Sequence, residues 1–355
     1  MCFKIYEEFT PELQEIWQEF YKKNPGIYSS SFEWCQTWFR YFSKDKNLFV
    51  ITIWQDESLK LIAPFYKKGN KLYGIGSSPD FYDTFCILYE DRNYLLDLVN
   101  FIIEKNFEAD LRLIHPMSEF FQYLLRRMEQ ENIYKVRIYN YVIKPLIFET
   151  NELKMSLQQK YKRLKRKENL AKKDFNDELK YDLITEKNEK YIQEFMNFHK
   201  KKWNTFKLPK TQEFIKDLYL NNDFVMLSRL YLKNSNKSVA YSFKYKSPDN
   251  VLYNNMFSYN EEFAAMSPGL LVTYYDISSD MAESSDHIDY GTGSYKYKYY
   301  FANKDEVVLN VKADLCWKQY KRIYLFLKNF KNKLVLFKHF YGNKTEDEEV
   351  CYNPG

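Results

Sequence analysis

The order of helix-like and strand-like segments constrains this chain most, because the same order occurs twice. Segments rich in β-branched and aromatic residues alternate with amphipathic segments throughout. Each half begins with helices, continues with an antiparallel meander, and ends in a helix–strand–helix–strand series. The residue letters themselves do not repeat. The rhythm predicts an α+β protein with two domains of similar design, 1–150 and 151–315, followed by a terminal helix and polar tail over 316–355.

The individual elements follow from hydrophobic periodicity and from helix start and stop signals. In the first half the predicted helices are 11–22, 31–43, 92–105 and 117–131, and the predicted strands are 47–54, 59–67, 82–89, 110–115 and 135–148. In the second half the predicted helices are 154–173, 187–204, 211–221, 268–282, 294–302 and 316–341, and the predicted strands are 179–185, 224–232, 237–246, 251–258, 287–291 and 306–313.

Composition excludes several classes of protein. The 33 Tyr, 29 Phe and 6 Trp among 355 residues argue against disorder. A mean hydropathy of −0.60 and the lack of a long apolar run exclude a membrane-spanning helix. The first residues lack the basic and then apolar pattern of a signal peptide, so we expect a cytoplasmic protein. The net charge of +5 is too mild to imply a DNA partner.

Cysteine and histidine usage predicts neither a metal site nor a disulfide framework. The five cysteines and four histidines are dispersed along the chain. No pair of cysteines has the short spacing of a zinc ligand set, and disulfides are rare in a reducing compartment. We therefore expect no metal cofactor.

Glycine is unusually scarce in this chain, which draws attention to the places where it occurs. There are nine glycines, whereas average usage would give roughly 25. None lies between Gly76 and Gly269. A glycine retained in such a composition indicates a backbone position where no side chain fits.

The segment Ser267-Pro268-Gly269-Leu270 follows a predicted strand that contains Met256 and Phe257. Ser-Pro is a typical helix start, with Ser267 as N-cap and Pro268 in the first helical position. The helix dipole and a first turn without side-chain obstruction favour an anion such as a pyrophosphate. The alternative is simply a well-capped helix.

A second glycine pair lies in the segment that begins at Asp289. Gly291 and Gly293 stand two apart, which indicates a bulge or the close approach of a ligand. Tyrosines and lysines alternate directly afterwards and supply phenol protons and ammonium charges: Tyr295, Lys296, Tyr297 and Lys298. The alternative is a solvated turn that leads to a short amphipathic helix.

Two helices are strongly basic. The segment 160–173 carries eight Lys or Arg residues against the single acid Glu168 and could meet phosphates on a ligand, a tRNA or a membrane, although a solvated face is the commoner case. The helix 316–341 is amphipathic and basic; it could dock on the second domain or lie on a membrane surface.

Other candidates have ordinary structural explanations. His199 and Trp203 lie one turn apart on a helix face, where a core histidine is the commoner outcome. Trp38 is typical of aromatic core packing. Asp80 and Asp83 flank Tyr82 in a loop, where aspartates commonly stabilise turns.

The order of these signals resembles that of a known family, the GNAT-superfamily acetyltransferases named for cellulose biosynthesis. The resemblance covers residues 28–305. Its motifs, in chain order, are Trp34-x-x-x-Trp38, Leu61 to Tyr66, Gly76-Ser77 with Asp80 to Asp83, the basic helix Ser156 to Arg166, Phe195-x-x-Phe198-His199-x-x-x-Trp203, Ser238-Val239-Ala240, Ser267 to Leu271, and Asp289-x-Gly291-x-Gly293-x-x-x-Tyr297-Lys298-x-x-Phe301. The sequence departs from the family pattern in two places. Ser294 and Tyr295 stand where acidic residues are usual, and Asn260 stands where an Asp is usual.

The resemblance implies a tandem GNAT fold with mixed, largely antiparallel sheets, related to the Fem-type aminoacyltransferases. It also implies that the second domain binds acetyl-CoA or another acyl-CoA as co-substrate. The acceptor would be a small-molecule amine or amino sugar of an envelope or exopolysaccharide precursor. The alternatives are an aminoacyl-tRNA donor and a non-catalytic scaffold held at a membrane face by the terminal helix.

The expected site residues fall into three groups. Tyr295, Tyr297, Lys298, Asp289 and His199 are expected to be catalytic, with a tyrosine near the leaving thiolate and Asp289 or His199 nearest the base role. Acyl-CoA is expected to contact Ser267, Pro268, Gly269, Leu270, Met256 and Phe257. The acceptor is expected to contact Trp38, Asp80, Tyr82, Asp83, Trp203, Gly291 and Gly293.

Overall fold

The computed structural model describes residues 1–78, 81–131, 134–148, 151–202, 206, 208–279 and 284–315. The helices are α1 (Pro11–Lys23), α2 (Phe32–Phe42), α3 (Asn93–Glu104), α4 (Glu119–Glu131), α5 (Asn151–Phe175), α6 (Glu189–Lys202), α7 (Pro209–Asn221) and α8 (Pro268–Ile277). The strands are β1 (Cys2–Tyr6), β2 (Asn47–Gln55), β3 (Ser58–Lys68), β4 (Lys71–Gly74), β5 (Ser77–Ser78), β6 (Phe81–Tyr82), β7 (Leu88–Tyr89), β8 (Glu108–Ile114), β9 (Tyr134–Phe148), β10 (Leu179–Ile184), β11 (Val225–Leu232), β12 (Ser238–Lys246), β13 (Val251–Tyr259), β14 (His287–Asp289) and β15 (Lys304–Leu315).

The two halves share one continuous sheet. Its order is β1-β2-β3-β4-β8-β15-β9-β14-β13-β12-β11-β10, and β7 pairs with β3. Among the described pairs, β4 with β8 and β13 with β14 are parallel. The other pairs are antiparallel. Each half therefore has a meander followed by one parallel strand, and the predicted mixed, largely antiparallel pairing is confirmed.

The last strand of each half lies next to the other half. β15 ends the second half but pairs with β8 of the first, while β9 ends the first half but pairs with β14 of the second. β9 and β15 also pair with each other along the full length of β15. Because β9 lies in the second half's part of the sheet and β15 in the first half's, the two halves are joined by an exchange of strands.

An aromatic core spans both halves on one face of the sheet. Trp34 of α2 packs edge-on against Phe214 of α7, and Tyr28 stacks on Tyr245 of β12 with ring centroids 3.9 Å apart. Two further cores lie under α3 and α4 in the first half and under α5 and α8 in the second. Since burial of large aromatic side chains is strongly favourable, the shared core holds the halves together.

Most predicted elements are confirmed within a few residues, and the differences have local causes. The strand predicted over 82–89 is interrupted, because Phe85 packs against Gly74 and Asp83 bonds to Tyr28. The helix predicted over 294–302 is only one turn of 3-10 helix, Lys298–Tyr300. The helix predicted over 268–282 ends at Ile277. The short strands β1, β4 and β5 were not predicted, and the helix predicted over 316–341 lies outside the described residues.

Candidate active site

A wedge opens between β13 and the segment that follows β14. The two strands pair only over residues 251–253, ending at the pair Tyr253 and Asp289. Beyond that pair, β13 continues along β12 to Tyr259. The other segment follows β9 instead, because the N–H groups of Tyr290 and Gly293 donate to carbonyls of β9. A register shift lies at the same point of β13, where an extra residue in the strand marks a bulge.

The turn before α8 lies beside this wedge. Ser267 is the N-cap with a left-handed φ of 53°, and Pro268 occupies the first helical position, as expected. The Ser267 side chain, however, makes no capping hydrogen bond. Ser267 therefore begins the helix through its backbone conformation, and the first turn presents the positive end of the helix dipole.

Gly269 is required here for close packing against β13. A Cβ at this position would lie 2.6 Å from a ring carbon of Phe257. The missing Cβ thus makes room for the Phe257 ring, and the close approach of a ligand to this backbone stays a prediction. The Phe257 ring also meets Tyr297 edge-on, with centroids 4.9 Å apart. The turn, β13 and the predicted Tyr297 therefore meet at one side of the wedge.

The Gly-x-Gly segment is held by its own flanking residues. Asp289 accepts the N–H of Gly291 at 2.7 Å, and both glycines have positive φ, 68° for Gly291 and 99° for Gly293. The Lys298 amine donates to the carbonyls of Gly291 and Thr292, at 3.1 and 2.7 Å. Burial lowers the pKa of Lys298 to about 8. In this geometry Lys298 fixes the shape of the loop.

The two candidate tyrosines differ in exposure. Tyr295 is half exposed and its ring covers Gly293, where a Cβ would lie 2.7 Å from the ring. Tyr297 is mostly buried, and burial raises the pKa of its phenol above the ordinary value. The rings stack with centroids 5.9 Å apart. Tyr297 therefore keeps its proton at neutral pH beside the wedge.

Asp289 forms a buried ion pair that sequence reasoning missed. Its second oxygen contacts the amine of Lys144 on β9, and both side chains are nearly inaccessible to solvent. Glu306 of β15 lies 3.9 Å from the same amine. Burial alone would lower the pKa of Lys144, but these carboxylates reverse the effect and raise it. Lys144 could not have been recognised in a strand of unremarkable sequence, because its partner is 145 positions away.

The first half contributes Asp83 to the same region. Asp83 accepts hydrogen bonds from the Tyr28 hydroxyl and the Thr84 N–H, and it lies within electrostatic range of Lys144 and Asp289. Burial raises its pKa to about 6. The structure thus brings together Asp83 and Asp289, which were expected in the acceptor and catalytic groups respectively.

The remaining expected residues are more scattered. His199 is buried beside Phe206, with ring centroids 4.6 Å apart, and burial lowers its pKa to about 4. Trp38 is fully buried and donates its indole N–H to the Phe81 carbonyl, so it supports the loop next to Tyr82. Met256 faces the shared aromatic core, and Leu270 packs on the core under α8. Asp80 and Trp203 lie outside the described residues.

A second buried charge cluster, also missed from the sequence, anchors α8. The carboxylate of Asp276 on α8 accepts one side-chain hydrogen bond from each of four strands. The donors are Tyr181 of β10 and Ser228 of β11, each at 2.7 Å, Lys244 of β12, and Asn254 of β13 at 3.2 Å. Because Asn254 lies at the bulge, this cluster fixes α8 relative to the wedge.

The basic helix α5 packs against the same part of the second half. Of its own side chains, Leu164 is buried and Tyr161 stacks on Tyr274 of α8, with ring centroids 5.0 Å apart. The Lys167 amine donates to the Ala265 carbonyl at 3.0 Å, just ahead of the turn. One face of α5 is therefore structural, while its other faces remain exposed to solvent.

Within the described ranges, no group of three or more His, Cys, Asp and Glu side chains could hold a metal ion. None of the described helices is both long and apolar enough to cross a membrane.

Residues 158–299, which contain the wedge, the turn and the Gly-x-Gly segment, match a family described as "Acetyltransferase (GNAT) domain". The chain resembles the crystal structure of FemX, with 11% identity, a TM-score of 0.58, and coverage of 92% of this chain and 99% of that one. The fold is a tandem GNAT fold.

A second solved structure supports the same architecture. A conserved protein of unknown function from Bacteroides thetaiotaomicron VPI-5482 has 10% identity and a TM-score of 0.51. The similarity covers 88% of this chain and 99% of that one. No curated protein matches in sequence. At these identities the structural neighbours establish the fold, and the domain match shows that residues 158–299 are similar to acetyltransferase (GNAT) domains.

Proposed function

We propose that this protein is an acyl-CoA-dependent N-acyltransferase. The acyl group, acetyl or longer, would pass to the amine of an amino sugar or related envelope or exopolysaccharide precursor. One observation carries the proposal: β13 and β14 diverge beside the helix turn at Ser267, within the residues that match the acetyltransferase domain. The thioester of an acyl-CoA would lie in the wedge, and the pyrophosphate of the same molecule would lie at the positive end of α8. The acceptor class comes from the motif resemblance.

The proposed reaction is direct transfer. The acceptor nitrogen, after losing its ammonium proton, attacks the thioester carbon, and the carbon–sulfur bond then breaks. The thiolate takes up a proton from the protein, and the second proton, which the nitrogen releases as the amide forms, restores that protein group. Holding both reactants in register lowers the barrier, and proton transfer by positioned side chains lowers it further. We assign thiolate protonation to Tyr297, because it is protonated and lies against Phe257 at the wedge.

The base role is assigned by comparing the carboxylates. Both oxygens of Asp289 are engaged by Lys144 and Gly291, and its side chain is almost inaccessible. His199 is unprotonated at neutral pH, but a pKa of about 4 makes it a weak base. Asp83 also accepts hydrogen bonds at both oxygens, but from neutral donors, Tyr28 and the Thr84 N–H. It is less buried than Asp289, and its pKa of about 6 is closer to neutral pH. We therefore propose that Asp83 binds the acceptor ammonium and receives its proton, while Asp289 shapes the loop.

Ligand-dependent thermal unfolding tests the donor. Acetyl-CoA and longer acyl-CoAs should raise the unfolding temperature in a dose-dependent way. Ser267→Asp and Ser267→Asn form a matched pair, since both residues tolerate a left-handed φ and differ in charge. The Asp variant should lose the acyl-CoA shift by repulsion of the pyrophosphate, and the Asn variant should keep it. Wild-type protein that shows no shift with any acyl-CoA would refute the proposal. Binding without turnover on any amine would favour a scaffold.

The second candidate function uses an aminoacyl-tRNA as donor. The resemblance to Fem-type aminoacyltransferases and the position of basic α5 beside the turn favour it. The triple charge reversal Lys162→Glu/Arg163→Glu/Arg166→Glu should then abolish tRNA binding and activity. If acyl-CoA is the donor, the triple variant should weaken donor binding without abolishing transfer at saturating donor.

A further inference from the structure

One flank of α5 reaches both walls of the wedge. The Lys167 amine donates to the Ala265 carbonyl ahead of the turn, and the Lys160 amine donates to the Tyr300 carbonyl beyond the Gly-x-Gly segment. The two lysines are seven residues apart, which is about 10 Å along a helix. The flank therefore bridges the turn and the segment that carries the candidate tyrosines.

Arg163 lies on the same flank, between the two lysines. It is three residues after Lys160 and four before Lys167, so the three side chains are neighbours on the helix surface. Arg163 is exposed, and no ion-pair partner for it occurs among the residues that the structure describes. A hydrogen bond to a carbonyl, unlike an ion pair with a carboxylate, brings no negative charge to either lysine. Lys160, Arg163 and Lys167 together form a short cationic strip beside the mouth of the wedge.

We propose that Arg163 and Lys167 bind the 3′-phosphate of an acyl-CoA whose pyrophosphate lies on the Ser267–Gly269 turn. This inference rests on the proposed function and adds the part of the donor that the strip recognises. A guanidinium forms bidentate hydrogen bonds with phosphate oxygens, and it remains charged at any relevant pH. The phosphoadenosine end of a CoA would extend from the turn onto the strip.

The distribution of charge favours a single phosphate group over a polynucleotide. A nucleic acid is held by many phosphate contacts spread over a surface. Here the strip is one helix flank, and Lys165 on another side of α5 forms an ion pair with Glu168 at 3.0 Å. Lys162 is also exposed but projects from the opposite side of the helix. That arrangement provides a matched control within the same turn.

Calorimetric titration of the full chain with acetyl-CoA and with acetyl-dephospho-CoA tests the inference, because the two donors differ only in the 3′-phosphate. Wild-type protein should bind acetyl-CoA more tightly. Arg163→Gln should weaken acetyl-CoA binding by about tenfold, as loss of a charge-assisted hydrogen bond implies, and should leave acetyl-dephospho-CoA binding unchanged. Lys162→Gln should change neither affinity.

The contrary outcomes separate the two proposals. Equal wild-type affinity for both donors, or equal weakening of both by Arg163→Gln, would overturn the strip's role and leave the acyl-CoA donor intact. Failure of the folded wild-type protein to bind either donor would overturn both. Equal loss in Lys162→Gln and Arg163→Gln, together with binding of aminoacyl-tRNA, would identify α5 as a nucleic-acid surface instead.

Discussion

Lys244 of β12 and Asp276 of α8 form an ion pair that is completely buried between the sheet and the helix. Burial lowers the pKa of Lys244, and the Asp276 carboxylate opposes that effect. The same carboxylate accepts hydrogen bonds from the hydroxyl groups of Tyr181 and Ser228. The Asp276 carboxylate thus holds α8, and with it the turn at the start of the helix, against four strands of the sheet.

Removing the carboxylate should be severely destabilising. Asp276→Leu leaves Lys244 buried without its partner, which costs about 3–5 kcal/mol. The double variant Lys244→Met/Asp276→Leu should be less destabilised than Asp276→Leu alone, because no uncompensated charge remains. Urea unfolding measures both. Lys165→Ala, which breaks an exposed pair, is the control and should cost about 0.5 kcal/mol or less. An Asp276→Leu cost no larger than this control would contradict the buried pair.

The contact between Gly269 and Phe257 should appear as coupling between two substitutions. Gly269→Ala introduces a Cβ at 2.6 Å from the ring, and such overpacking costs about 1–3 kcal/mol. Phe257→Leu removes the ring, so Gly269→Ala should cost less in that background. A double-mutant cycle in thermal unfolding gives the coupling energy. Additive effects would show that the ring does not occupy this position.

Acceptor binding should weaken as Asp83 becomes protonated. With a pKa of about 6, the carboxylate is charged at pH 7.5 and mostly neutral at pH 5. KM for a cationic amine acceptor should therefore rise as pH falls through 6, with KM for the donor changing less. Asp83→Asn should have a high acceptor KM at every pH. A retained pH dependence in that variant would assign the titration to another group.

The raised pKa of Asp83 also makes the free energy of unfolding depend on pH. The folded-state pKa of Asp83 lies above its ordinary value, so the folded protein binds this proton more tightly than the unfolded chain. Its favourable contribution is complete below about pH 4 and is lost as pH rises through 6. Relative to Asp83→Asn, the wild type should thus lose unfolding free energy between pH 4 and pH 6. Parallel curves for the two proteins would contradict the shift.

The exchange of β9 and β15 predicts that the halves fold together. A fragment of residues 1–150 lacks β15, which pairs with both β8 and β9, so it would expose two unpaired strand edges. We expect this fragment to aggregate or remain unfolded alone and to form a complex when co-expressed with residues 151–355. Gel filtration and circular dichroism of the fragments test this. Independent cooperative unfolding of fragment 1–150 would contradict it.

Sequence reasoning located most helices and strands, because the periodicity of apolar residues reports which side of an element is buried. It also located Pro268 at a helix start, since proline has a restricted φ and no N–H. It predicted too long a helix after Gly293, because the alternation of Tyr and Lys there resembles an amphipathic helix. In the structure Tyr295 folds over that glycine and Lys298 turns back to bond the loop carbonyls.

The sequence by itself determined the α+β class, the repeated order of elements, the turn at Ser267 and the glycine pair at 291 and 293, because all of these depend on residues close together in the chain. Only the tertiary structure decided the strand exchange, the pairing of Lys144 with Asp289, and the approach of Asp83 from the other half. Those relationships join residues more than a hundred positions apart. Local sequence patterns do not predict them, because the desolvation and pairing of charges depend on what packs around each group.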